Sequence, residues 1–123
     1  MLATLLQVHK TWALVVIIGN GMAGLWALGA LRLPGLRTRA LWWFTALVEA
    51  AVFVQVALGV GLVSGQHLKV AKFHVFYGAI ALVTVGIIYS YRDRLRHRLY
   101  LLYGLGGLFL MGLGIRAVLV GRA

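Results

Sequence analysis

Four apolar stretches of about twenty residues, parted by short connectors, constrain this chain more than any other feature. They run about 11–31, 41–63, 73–91 and 99–120. About 20 mostly apolar residues cross the hydrocarbon core of a bilayer as a helix. In lipid every backbone N–H and C=O has to be satisfied within the segment, so the spans must be helical rather than open strands. Connectors 32–40, 64–72 and 92–98 are too short for a second domain and force consecutive spans to lie antiparallel. The expected fold is therefore all-α: an integral membrane, up-down-up-down four-helix bundle in which residues 1–123 form one domain. Composition agrees. The chain is 63% hydrophobic and 11% charged, with Glu49 and Asp93 its only acids, whereas a soluble domain carries about 25% charged residues.

The net charge of +10 would suggest nucleic acid in a soluble protein, but its distribution argues for topology instead. Arg32, Arg37 and Arg39 fall in the first connector; Arg92, Arg94, Arg96 and Arg98 fall in the third. Lys10, Lys69, Lys72 and Arg122 belong to the opposite side, and Arg116 lies inside the fourth span. Seven basic residues against four is a positive-inside bias. It places loops 32–40 and 92–98 in the cytoplasm and both termini outside the cell membrane, with no nucleic-acid partner. The first apolar stretch is long enough to span and lacks a basic n-region, so it is expected to stay as an anchor rather than be cleaved. With no cysteine, disulfides, thiolate metal sites and covalent c-type haem attachment are excluded.

Aromatic residues fit the interfaces. Trp42, Trp43 and Phe44 open span two at the inner side, Tyr89, Tyr91, Tyr100 and Tyr103 cluster there, and Trp12 marks the outer edge. Pro34 and Gly35 break the chain between the first two spans. The sixteen glycines read chiefly as packing positions, because close approach drives helix association in lipid. Gly19-Asn20-Gly21-Met22-Ala23-Gly24 matches the dinucleotide fingerprint, but no strand precedes it. Gly61 and Gly65 form a GxxxG that runs out of its span and supports dimerisation only weakly.

At about 1.5 Å per helical residue, His9 and His74 both lie at the outer boundary, with His67 in the connector beside them. Gln55 lies in the outer half of span two, Tyr77 one turn below His74, and Arg116 near the end of span four, able to snorkel outward or pair inside. His97, between two arginines, reads as a solvated loop residue. Asn20, Glu49 and Thr84 fall near the midplane, where an ionisable group is costly and should face a partner; by depth, Asn20 is the nearest to Glu49. Small residues follow His9 (Ala13, Val16, Asn20, Gly24) and His74 (Gly78, Ala81, Val85) down one helical face each.

Three readings share these residues. Spans one and three are diagonal in such a bundle, so His9 and His74 are candidate axial ligands of a b-type haem, an electron-transfer group. Gly59, Gly61, Gly112 and Gly114 would give it clearance, and Arg116 would meet a propionate. In layout the chain resembles a minimal four-helix membrane cytochrome b. In the second reading it is an accessory or assembly subunit of a larger membrane complex, or a homo-oligomer, with no cofactor. The third makes it a small proton-coupled transporter built on Glu49, or a quinone-binding protein using Glu49 or an outer pocket of His74, Tyr77 and Gln55. A divalent metal held by His9, His67 and His74 is a weaker variant, because no carboxylate completes the set. Ser64 and Ser90 are the only serines, and hydrolysis lacks an acid on the outer side to orient a histidine; phosphoryl transfer lacks metal carboxylates and a P-loop. If the chain is an enzyme, it is a redox component. No catalytic residue is assigned.

Overall fold

The computed structural model describes residues 2–65 and 69–121. Its four long helices are α1 (Leu2–Ala30), α2 (Arg39–Val60), α3 (Lys72–Tyr91) and α4 (Leu99–Gly121). Each is long and apolar enough to cross a membrane. No strand occurs among the described residues. His67, from the expected metal set, and Arg122, from the charge balance, lie outside the described residues.

The helices match the expected spans closely, except where α1 begins. Gln7, His9, Lys10 and Thr11 interrupt the apolar run, yet nothing there stops a helix, since neither glycine nor proline intervenes. Gln7 Nε2 even donates to Thr11 Oγ1 one turn on, at 3.4 Å. Helix α1 therefore carries His9 on an ordered turn.

The last carbonyls of a helix have no partner within it. At the end of α1, Arg37 Nε donates to Ala30 O (2.6 Å) and its Nη2 to Leu31 O (3.0 Å). Between them, Pro34–Leu36 forms a 3₁₀ turn, where proline's fixed φ suits the first position. Trp26 Nε1 donates to Leu36 O across this turn at 3.0 Å. Helix α2 loosens at its end into a π-turn, Gly61–Gly65, which takes up the GxxxG pair, and a 3₁₀ turn at Arg96–Arg98 leads into α4.

Helix α1 packs most extensively on α4 and then on α2; α3 packs on α4 and only thinly on α2. Helices α1 and α3 thus occupy opposite corners. The α1–α4 crossing is set by glycine. A Cβ on Gly24 would lie 2.8 Å from Gly104 O and 2.9 Å from Leu108 N, and one on Gly107 would lie 2.8 Å from both Asn20 O and Gly24 Cα. Backbone rests on backbone there, as small residues permit in lipid. Above the crossing the core comprises Val16, Ala51, Val52, Val85, Leu110 and Leu113. A second cluster of Ala27, Ala30 and Leu41 closes the other end.

Candidate functional site

His9 sits on the third turn of α1 and His74 on the first turn of α3. Their ring centroids are 6.0 Å apart with planes at 75°. Both rings are half-buried. His74 Nδ1 lies 2.7 Å from Ala117 O of α4. A carbonyl only accepts, so Nδ1 carries the proton, and in the neutral ring Nε2 keeps a free lone pair. A ring nitrogen donating to a backbone carbonyl while the other stays basic is the usual arrangement of a metal-binding histidine. His9 Nδ1 is buried without a hydrogen-bond partner among the described residues. Behind the pair, Gln55 Nε2 donates to His9 O at 2.8 Å, tying α2 to α1, while Gln55 Oε1 is buried and unpartnered.

Two glycines make room for the rings. A Cβ on Gly59 would sit 3.3 Å from His9 Cε1, and one on Gly121 would sit 2.8 Å from His74 Nδ1. Of the glycines expected to give clearance, Gly59 faces His9 and Gly112 faces open space. Gly114 does not: Ile17 fills it, 2.7 Å from the Cβ position, and Gly61 meets only Leu5. These two serve helix packing instead. Arg116 is exposed, its Nη2 3.5 Å from the Tyr77 hydroxyl, at the outer limit of a hydrogen bond, and its guanidinium 5.7 Å from the Tyr77 ring centre. His97 is exposed in its turn. Trp12, expected at the outer edge, is half-buried and donates from Nε1 to Ala51 O at 2.9 Å.

The three midplane residues do not meet as expected. Asn20 is 1% exposed, and its Nδ2 donates to Val16 O (2.9 Å) and Val48 O (3.4 Å), not to Glu49. Thr84 Oγ1 donates to Ile80 O of its own helix at 2.7 Å. The reason is rotation: one residue turns a helix by about 100°, so Val48 faces α1 and Glu49 turns away. Glu49 instead lines a cleft of about 410 Å³ with Trp42, Thr45, Tyr89, Arg92 and Tyr103. Depth alone could not give that direction. The neighbour four positions before Glu49, Thr45, was legible as a same-face residue and went unread.

Sequence reasoning also missed Gly121 and the carbonyl of Ala117. A backbone acceptor has no side-chain signature. No family model, curated protein or solved structure matches this chain.

Proposed function

We propose that the chain is a small polytopic membrane subunit that holds a b-type haem between His9 and His74 and serves electron transfer. In this reading the bundle runs up-down-up-down through the cytoplasmic membrane. Both termini and the histidine pair lie toward the outside, and loops 32–40 and 92–98 face the cytoplasm, as the arginine bias directs.

The observation that carries the reading is the 6.0 Å separation of two imidazoles contributed by opposite corners of the bundle. With metal–imidazole bonds of about 2.0 Å, a separation of that size would let His9 and His74 hold one metal ion between them. Among the described residues no third His, Cys, Asp or Glu joins them as a ligand set. Two imidazoles leave a bare ion under-coordinated, whereas a macrocycle brings its own four equatorial nitrogens. That contrast favours haem over a free cation. When bound, the iron would exchange one electron between its ferric and ferrous forms.

The protein's own contributions follow from the contacts. Ala117 O fixes the His74 tautomer, Gln55 anchors the backbone beneath His9, Gly59 and Gly121 keep the rings unobstructed, and Arg116 with Tyr77 offers donors to a propionate. Broad apolar faces support a role inside an assembly: Phe73 and Phe76 of α3 are 66% and 53% exposed, suited to lipid or to another subunit.

The test is an absorption spectrum of protein purified after expression with haem supplied, oxidised against reduced. A Soret band that shifts on reduction is expected. His74→Ala should abolish it, and His97→Ala should leave it intact. Absence of the band from the parent protein would overturn the haem assignment in favour of a cofactor-free subunit.

A further inference from the structure

A second polar site lies at the arginine-bearing end, independent of the histidine pair. Ser64, Thr84 and Ser90 each donate to the carbonyl four residues back, at 2.6, 2.7 and 2.7 Å. Thr45 of α2 does not. The residue is 6% exposed, and its buried Oγ1 has no hydrogen-bond partner among the described residues. A buried hydroxyl left unpaired is costly, so a partner from outside the chain would be favoured. Thr45 lines the 410 Å³ cleft one helical turn from Glu49.

The cleft's other walls define what that partner is. Trp42 and Tyr103 meet edge to face, with ring centres 5.3 Å apart and planes at 75°, and give the cleft an aromatic wall. Arg92 lies 4.2 Å from the Tyr89 ring centre, and Arg96 pairs with Asp93 at 3.6 Å. Two acids, Glu49 and Asp93, and two bases, Arg92 and Arg96, line it, so its formal charge is zero. A neutral ligand fits this balance, and the net +10 of the chain disfavours a cation. The thin α2–α3 contact leaves a flank through which a lipid tail could leave. A volume of this size lies within the usual range for ligand pockets, about 300–1,000 Å³.

We infer that the cleft between α2, α3 and the start of α4 binds the head of a lipid-soluble quinol. One ring hydroxyl donates to the Glu49 carboxylate, Thr45 Oγ1 shares a hydrogen bond with the ring's oxygen, and the ring lies against Trp42 and Tyr103. The tail passes between α2 and α3.

The experiment titrates a decyl-tailed benzoquinol, kept reduced under argon, into the protein in nanodiscs, with empty nanodiscs as baseline. Saturable binding above that baseline is expected. Glu49→Gln and Thr45→Val should each weaken it about ten- to a hundredfold, the loss of one hydrogen bond to a charged or buried partner. Thr45→Ser should keep it, as should His97→Ala. Circular dichroism and gel filtration check that each variant folds. A measurement that needs no variant accompanies them: a photoreactive azido-quinone should label the peptide containing residues 42–49. Partitioning without saturation, unchanged affinity in Thr45→Val, or labelling confined to other peptides would overturn the assignment. So would tetraphenylphosphonium occupying the site in the quinol's place with the same dependence on Glu49.

Discussion

Replacing Gly107 by alanine tests whether α1 and α4 cross backbone on backbone. The added Cβ would stand 2.8 Å from Asn20 O, 2.8 Å from Gly24 Cα and 2.9 Å from Gly24 N. Ordinary carbon contacts lie at about 3.5–4.0 Å, so the overlap is about 0.7 Å, and every opposing atom is main chain with no rotamer to change. The helices must separate by about that distance, which forfeits a quarter to a half of the dispersion attraction along the seam. Overpacking of this kind costs about 1–3 kcal/mol, and an unyielding wall puts this site near the top of that range. Alanine's better helix propensity returns about 1 kcal/mol, leaving a net loss of about 2 kcal/mol. Gly86 supplies the control, because nothing lies within 4 Å of its Cβ position; Gly86→Ala should be neutral or slightly stabilising. SDS-titrated unfolding in mixed micelles, followed by circular dichroism, reads both. Gly107→Ala as stable as the parent, or Gly86→Ala equally damaged, would refute the close crossing.

Asn20→Ala, by removing donors to Val16 O and Val48 O and leaving a small void at a site 1% exposed, should cost about 1–2 kcal/mol in the same unfolding assay. Trp12→Phe keeps an aromatic side chain but loses the pyrrole half of the indole and its 2.9 Å bond to Ala51 O; a loss of at least about 0.5–1 kcal/mol is expected, read from the same titration. Arg37→Ala strips two donors from the end of α1, and faster hydrogen exchange at the last turn of α1 and at residues 31–36 should follow, with little change in α3. The two proposed sites should act separately: Glu49→Gln is expected to leave any Soret band unchanged, and His74→Ala to leave quinol binding unchanged, since well-separated substitutions without shared partners act additively.

Span existence and length were legible because hydrocarbon thickness fixes them. Depth was legible as well: His9 and His74 do meet, and Asn20 does share a level with Val48. Rotation was not. A soluble helix advertises its buried face by an apolar stripe, but in lipid both faces are apolar and the stripe vanishes. So Glu49, one residue past Val48, was assigned to Asn20 when it turns toward Tyr89 and Tyr103. Glycine placement failed for a related reason. Gly59 and Gly114 look alike in sequence, yet one opens onto His9 and the other holds Ile17. Only the neighbour's shape distinguishes them. The start of α1 was missed because hydropathy marks where lipid ends, not where a helix ends.

The distribution of polar atoms bears on which of the readings is physically coherent. His9 and Asn20 are eleven residues apart on α1, about 16 Å along the axis, and Asn20 reaches the level of Val48 beside Glu49. Between the histidine pair and that level the described core is Val16, Val52, Val85, Leu110 and Leu113. Three of the polar side chains bordering it donate to backbone carbonyls: Trp12 to Ala51, Thr84 to Ile80, Asn20 to Val16 and Val48. A proton relay needs polar groups with exchangeable partners at each step, and these three side chains are held on main-chain carbonyls. Two separate binding sites, one at each end of that largely apolar middle, need no polar path between them.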